Sequence, residues 1–333
     1  MIWVLWAEKA SVFSALFFAR CGFRDSNYQI RGDRFGFEDY KIEAHLFYLA
    51  KSSSNFQLPS SILQQPTSII FRIFEETIFL MRIISYNVNG IRAAFTKDFL
   101  GWLKVADPDI ICIQESKAGN DQIDIESLEK IGYKSYWHSA QRKGYSGVGI
   151  ASKVEPKHIE YGCGIEHYDS EGRVIRADFE DFSVISVYVP SASNIERLDF
   201  KLQFCYDFLD YIKELKKTVP NLVISGDFNI CHKPIDIHNP EGLKNVSGFL
   251  PIEREWLSKF IDECELIDSF RFFNDQPENY SWWSYRQNSR ARNKGWRLDY
   301  NFVSYTLKEK LSRAVILKEA VHSDHCPVVV ELH

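Results

Sequence analysis

Short apolar runs that break off directly into carboxylates, amides or an imidazole constrain this chain more than any other feature. Leu222-Val-Ile224 and Val328-Val-Val330 are continuously apolar, which marks strands covered on both faces. Strand-like runs fall at 82–86, 109–114, 133–138, 147–152, 173–179, 183–189, 221–225, 297–303, 313–319 and 326–332. Helical patterns fall at 94–105, 196–217 and 252–263. Many strands with interspersed helices predict a layered α/β body, with two sheets packed together and helices outside.

The run-out into polar groups recurs at six places. They are Asn87-Val-Asn89-Gly90, Gln114-Glu115-Ser-Lys117, Tyr188-Val-Pro190-Ser191, Gly226-Asp227-Phe-Asn229, Arg297-Leu298-Asp299-Tyr300-Asn301 and Ser323-Asp324-His325. Singly, each has a bland explanation. Asn87 and Asn89 before a glycine can form a turn, Asp299 can pair with Arg297, and a lone histidine is usually a satisfied core or surface residue. Jointly they fit ligand binding at strand ends, where loops gather on a rigid sheet. Convergence on one cleft is therefore expected.

Composition narrows the classes. The 333 residues are 45% apolar and 26% charged, with 40 Lys+Arg against 45 Asp+Glu for a net charge of −5. Wholesale disorder is excluded, and a nucleic-acid partner must meet a local basic surface rather than a polycation. The 7 cysteines (21, 112, 163, 205, 231, 264 and 326) contain no Cys-x-x-Cys. A disulfide framework or structural zinc is disfavoured, and a reducing cytosol fits. No apolar run reaches the roughly 18–20 residues that span a bilayer. Residues 1–80 show no sustained periodicity, and 51–68 read as loop or disorder. The preferred reading is an over-extended start or disordered extension, with the working protein beginning at Met81 as one catalytic domain, 81–333. An accessory segment is the alternative.

Glu115, Asp227, Asp299 and Asp324, with Asn87, Asn89 and Asn229, supply hard oxygens, an inventory that suits Mg²⁺. Zinc chemistry would want more histidines than His325 and His322. With a hard cation the natural reaction is displacement at a phosphate, and no Gly-x-x-x-x-Gly-Lys-Ser/Thr loop points to nucleotide hydrolysis. The segment 281–297 interleaves Trp282, Trp283, Tyr285 and Trp296 with five cations, Arg286, Arg290, Arg292, Lys294 and Arg297, and contains no acid. Cations neutralise backbone phosphates, and aromatics can line a pocket for an extruded sugar or stack on bases. A solvated loop with core tryptophans is the plainer reading of that segment taken alone.

At these residues the sequence resembles the exodeoxyribonuclease III / apurinic-apyrimidinic endonuclease family of the endonuclease/exonuclease/phosphatase superfamily. The shared motifs are Tyr86-Asn87-Val-Asn89-Gly-Ile-Arg-Ala93, Ile113-Gln-Glu115-Ser-Lys117, Gly144-Tyr-Ser-Gly-Val-Gly149, Glu171-Gly-Arg173-Val-Ile175, Gly226-Asp-Phe-Asn229, Gly295-Trp-Arg-Leu-Asp-Tyr300 and Ser323-Asp-His325. The resemblance covers 81–333 and implies a four-layer α/β sandwich, two mixed β-sheets packed face to face and flanked by helices.

It implies Glu115 as principal Mg²⁺ ligand, with Asn87, Asn89 and Asp324 near the metal and Mn²⁺ as a substitute. Asp227 would orient or deprotonate the attacking water, helped by Asn229. His325, held by Asp299, would contact the scissile phosphate, and Tyr188 would brace it. Trp282, Trp296 and Leu298 match a sugar pocket, while Ser191, Arg286, Arg292 and Arg297 would touch substrate. The implied reaction is cleavage of duplex DNA 5′ to an abasic site, leaving a 3′-hydroxyl, with 3′-5′ exonuclease and 3′-end trimming of blocked ends. A monomer in the cytoplasm is expected, on the nucleoid in a bacterium.

Two departures stand out. Ser191 replaces an amide residue frequent in the family, and Ala192-Ser193-Asn194-Ile195 lacks an arginine that some members push into the duplex. The nearest rival is a lipid or inositol phosphate hydrolase of the same superfamily; a DNA-binding module without catalysis is a second, from another class.

Overall fold

The computed structural model describes residues 80–192 and 194–333, so the reading of 1–80 lies outside the described residues except at Leu80. The first strand, β1 (Met81–Asn87), is buried from Ile83 onward. Helix α1 (Phe99–Ala106) and strands β2 (Ile110–Gln114), β3 (Lys134–His138) and β4 (Val148–Ser152) follow. Next come β5 (His158–Tyr161), β6 (Val174–Asp178), β7 (Ser183–Tyr188), helix α2 (Leu198–Leu215) and β8 (Leu222–Asp227). The chain closes with helix α3 (Pro251–Glu263), β9 (Leu266–Asp268), β10 (Asp299–Ser304), β11 (Leu311–Ile316) and β12 (Val328–Leu332).

These strands form two mixed six-stranded sheets, ordered β11-β12-β1-β2-β4-β3 and β5-β6-β7-β8-β10-β9. Ile83, Ile110, Cys112, Val148 and Ile150 of the first sheet pack against Ile175, Ala177, Val184, Val223 and Val303 of the second. That double cover explains the continuously apolar runs. Helix α2 lays a stripe of Phe204, Cys205, Phe208, Leu209 and Ile212 on the outer face of the second sheet. Phe204 stacks on Phe208 at 5.7 Å, and Phe208 meets Phe260 of α3 at the same spacing. Each such buried ring contributes about 1.5–3 kcal/mol. Helix α1 covers the first sheet through Phe99 and Leu103. The four-layer α/β sandwich expected from the sequence is the fold.

A polar seam crosses the sheet interface. Gln114 Nε2 donates to Ser186 Oγ at 3.0 Å, Ser225 Oγ to Asn301 Oδ1 at 2.7 Å, and Asn301 Nδ2 to the Val328 carbonyl at 3.1 Å. Fully satisfied, these buried groups fix how the sheets sit on one another. Gln114, grouped by sequence with the polar strand ends, is a bolt between sheets.

Two strands, β5 and β9, escaped the sequence reading: β5 is a largely exposed edge, and β9 has only three residues. The helix expected over 94–105 is two helices, Ile91–Phe95 and Phe99–Ala106, separated by a left-handed Asp98 with φ 62°. No described helix is long and apolar enough to cross a membrane. The six described cysteines are free thiols.

Topology brings the polar ends together. In each sheet only the central pair runs parallel, β1 with β2 and β7 with β8. Their C-terminal ends therefore emerge side by side. Strands β12 and β10, antiparallel to β1 and β8, begin where those ends finish.

Candidate active site

Asp227 closes β8 and sits in register with Tyr188 of β7 on one side and Asp299 of β10 on the other. Asn87, the last residue of β1, reaches across from the other sheet, its Nδ2 donating to Asp227 Oδ2 at 2.8 Å. Asn229 folds back on Asp227: its backbone N–H donates to Asp227 Oδ1 at 2.9 Å, and its Nδ2 to the Val189 carbonyl at 2.9 Å and Asp227 Oδ2 at 3.3 Å. That return needs a left-handed turn, and Asn229 has φ 52°. Asn89, Glu115 and Lys117, at the ends of β1 and β2, are left-handed too, at φ 47°, 57° and 51°. Non-glycine residues in this region cost about 1–3 kcal/mol each and gather at functional sites.

His325, in the loop before β12, is buried. Its Nδ1 lies 2.8 Å from Asp299 Oδ2, and its Nε2 lies 3.8 Å from Asp227 Oδ2. Asp299 Oδ2 also accepts from Ser281 Oγ at 2.6 Å, and that hydroxyl in turn accepts the backbone N–H groups of Leu298 and Asp299. Burial opposes charge on the imidazole, but Asp299 and Asp227 outweigh it and push His325 up to about 10. Burial lifts Asp227 to about 7, with His325 pulling it down and Asp299 pushing it up. A charged imidazole thus stands beside a carboxylate poised near neutrality, able to stabilise developing anionic charge and to take a proton.

The outer side of the cluster is half-buried, at Asn89, Glu115, Lys117 and Asp324. Asn89 Nδ2 donates to Asp324 Oδ1 at 2.8 Å, and the Lys117 ammonium sits 2.8 Å from Glu115 Oε1 and 2.5 Å from Asn89 Oδ1. An amine therefore occupies the gap between hard oxygens that a divalent cation would take, and a donor set of carboxylates and amides without sulfur fits such an ion. The ligand atoms of Asp227, Asp299 and His325 also lie within 4.8 Å of one another and could hold a cation. Those three are buried around the imidazole, whereas Glu115 is half-buried at the rim beside Asn89 and Asp324, which makes the Glu115 side the better donor set. Asn87 faces the other way, its oxygen taken by the Asn89 N–H at 2.9 Å. Burial, with the negative charges of Glu115 and Asp227 beside it, holds the Tyr188 phenol well above its usual range.

An apolar wall adjoins His325. Trp282 bridges both Trp296 and His325 through its backbone, its ring meets Trp296 edge-on at 6.1 Å, and its Nε1 donates to Asp324 Oδ2 at 3.0 Å. Leu298 and Trp296 belong to one small cluster with Phe249, Cys231 and Ile237. Ser191 follows β7, half-buried, while Arg286 and Arg292 are exposed on the loop.

Arg297 corrects the sequence reading. It is buried, with Nε on Asp236 Oδ1 at 2.8 Å and Nη2 on Asp268 Oδ2 at 2.7 Å, so two carboxylates already hold the cation expected to touch substrate. Arg290 is likewise structural: it donates to the carbonyls of Lys318, Ala320 and Ser323 and stacks on Trp283 at 4.7 Å. Of the five cations in this loop, Arg286, Arg292 and Lys294 remain exposed. Sequence reasoning gave no role to Ser281 or to Lys117. Only Lys117 carried a signal, in the motif Glu115-Ser-Lys117.

Fold and site together define a phosphoester hydrolase built on paired sheets, with a rim of carboxylates and amides beside an Asp–His centre. The chain belongs to the endonuclease/exonuclease/phosphatase family, whose model matches residues 84–325. It is 45% identical over 251 residues to an exodeoxyribonuclease of Bacillus subtilis, covering 74% of this chain and 98% of that protein. It is 41% identical over 256 residues to the DNA repair nuclease APEX1 of Danio rerio, covering 76% and 82%. Among solved structures, an AP endonuclease from Archaeoglobus fulgidus superposes with a TM-score of 0.69 at 31% identity, covering 76% of this chain and 99% of that one.

Proposed function

We propose that this protein is a Mg²⁺-dependent DNA repair nuclease that cuts duplex DNA 5′ to abasic sites, leaving a 3′-hydroxyl. It also trims blocked 3′ ends and degrades from the 3′ end. The observation that carries the reading is the contact between the Trp282–Trp296–Leu298 wall and His325. A sugar without its base is small and apolar on its faces, and such a wall beside the phosphate group selects it. An inositol phosphate, polar on every face, gains nothing from that wall, and the exposed Arg286, Arg292 and Lys294 beside it suit a DNA backbone better than a lipid.

Asp227, oriented by Asn87 and Asn229, takes a proton from water as its oxygen bonds to phosphorus. The bond from phosphorus to the 3′-oxygen on the 5′ side of the lesion breaks, and that oxygen takes a proton from a second water as it leaves, becoming the 3′-hydroxyl. Charged His325 donates from Nε2 to a non-bridging oxygen and offsets the growing negative charge. Tyr188 keeps its proton and braces the phosphate, with Ser191 as a further donor. Glu115, Asn89 and Asp324 would hold Mg²⁺, or Mn²⁺ in its place, while Asn87 lies beside that set and keeps Asp227 in position. Bound there, the ion supplies Lewis-acid stabilisation to the phosphoryl oxygens. Arg286 and Arg292 neutralise the DNA backbone. The enzyme works as a cytoplasmic monomer, on the nucleoid in a bacterial cell.

The test is a duplex with one tetrahydrofuran abasic analogue, incubated with Mg²⁺ and with EDTA. A single cut 5′ to the analogue, in Mg²⁺ only and weakened in Glu115→Ala, is expected. An intact duplex alongside hydrolysis of an inositol phosphate would overturn the assignment.

A further inference from the structure

Behind the site lies an ion pair that the chemistry above leaves unused. Lys201 of α2 and Glu253 of α3 are buried, with side chains 1% and 0% exposed and Nζ to Oε1 at 2.5 Å. Replacing such a pair with apolar residues is often neutral or stabilising, so stability alone is a weak reason for its presence. What it touches offers a stronger one.

The Lys201 ammonium also donates to the Asn229 carbonyl at 2.8 Å. Asn229 already has its N–H on Asp227 and its side-chain amide on Val189 and Asp227. Lys201 ties down the backbone carbonyl of a residue held left-handed at φ 52°. Without that tie, the peptide after Asn229 is free to turn toward an ordinary conformation and carry the amide away from Asp227.

Glu253 works on the other wall. Its Oε2 accepts the N–H groups of Gly248 at 2.6 Å and Leu250 at 3.0 Å, and its Oε1 accepts from Ser247 Oγ at 3.1 Å. Gly248 has φ +94°, and a Cβ there would lie 3.0 Å from Trp296 Cζ3 and 3.2 Å from the Asn229 carbonyl oxygen. The turn fixed by Glu253 is therefore wedged between the apolar wall and the water-directing limb.

We propose that the Lys201–Glu253 pair is a positioning element that fixes the Asp227–Asn229 limb relative to Trp296, so that a sugar seated on the wall presents its phosphate in line with the attacking water. The proposal rests on the roles given above to Asp227, Asn229 and Trp296. An error of an ångström in that alignment reduces turnover without weakening the grip on DNA.

The experiment compares wild type, Lys201→Met, Lys201→Met/Glu253→Gln and Gly248→Ala on the abasic duplex, with Lys213→Met, which breaks only a surface pair with Glu263, as control. The double variant keeps acceptors for the 248–250 turn and buries no unpaired charge. Removing one charge-assisted hydrogen bond predicts a kcat lower by about 10- to 100-fold, with KM within about threefold. Gly248→Ala should shift kcat in the same direction, and the control should match wild type. A double variant whose kcat per folded molecule stays within about threefold of wild type, or one that raises KM alone, overturns the proposal. So does a double variant that fails to fold, because the pair would then serve folding. Wild type that spares the abasic duplex but resects 3′ ends would refute the abasic-site assignment only, and the pair is then judged by the same split on resection.

Discussion

Replacing Asp299 by Asn removes the negative charge beside His325 while keeping the side-chain shape. Asp299 Oδ2 lies 2.8 Å from His325 Nδ1, and both groups are buried. With charge centres about 4 Å apart and an effective dielectric near 20, the lost attraction is about 4 kcal/mol, equivalent to about 3 pH units. Wild-type His325, at about 10, is charged throughout the neutral range. The anion favours the protonated ring, so its loss moves the alkaline limb of the rate profile down. Asp227, which Asp299 pushes up, moves down as well, and the whole bell slides toward acid. The assay is kcat/KM for nicking the abasic duplex from about pH 5 to about pH 10.5 at saturating Mg²⁺, beside an NMR titration of His325. Activity lost at alkaline pH should recover on acidification. A limb that stays near the wild-type position, or an equal loss at every pH, would refute the coupling.

Trp296→Ala should lower cleavage of the abasic duplex at least about tenfold more than hydrolysis of a small aryl phosphodiester, which has no sugar to seat; equal losses would count against the wall. Asp236→Asn should destabilise the fold by about 3–5 kcal/mol in urea unfolding, because it strips a partner from buried Arg297. Burial works against the Asp236 carboxylate, but Arg297 and Arg271 outweigh it and hold it down at about 2. Its folded value lies below the unfolded one of about 3.9, so the stabilisation is complete above about pH 4 and fades toward pH 2. The gap between wild type and variant should narrow over that window. A chain starting at Met81 should fold and cut like the full chain, and an insoluble or inactive product would show that the first 80 residues are needed.

How much of this was legible depended on the range over which each residue's environment is set. Strand-like runs announced the strands, two of them continuously apolar and so covered on both faces, and ten of the twelve described strands fall on such runs. The polar ends announced a site because each lies within a few residues of a run: Asn87, Glu115, Asp227 and His325 needed only the rule that ends gather. Arg297 shows where that fails. Its partners Asp236 and Asp268 lie 61 and 29 residues away, and nothing local separates a cation waiting for phosphate from one already paired. Lys201 was invisible for the same reason, since Glu253 is 52 residues distant. Ser281 beside Trp282 read as loop, and only the fold turns its hydroxyl onto Asp299.

The left-handed residues join these two levels. Asn89, Glu115, Lys117 and Asn229 each follow a buried strand, and each turns a polar side chain into the cleft at φ between 47° and 57°. At about 1–3 kcal/mol apiece they cost on the order of 4–12 kcal/mol together, comparable to the entire net stability of a typical domain. Loops free to relax would not keep them. The backbone here is held from outside: Gly90 N–H bonds the Glu115 carbonyl at 2.8 Å, Ser116 and Lys117 bond Gly147 and Ser146, and Lys201 holds Asn229. Strain at three strand ends is thus balanced by bonds to neighbouring backbone and to Lys201, and the Asn87–Asp227 bond ties the two sheets' polar rims together. Rigidity of that kind serves phosphoryl chemistry, where catalysis depends on charges already in place when the transition state forms.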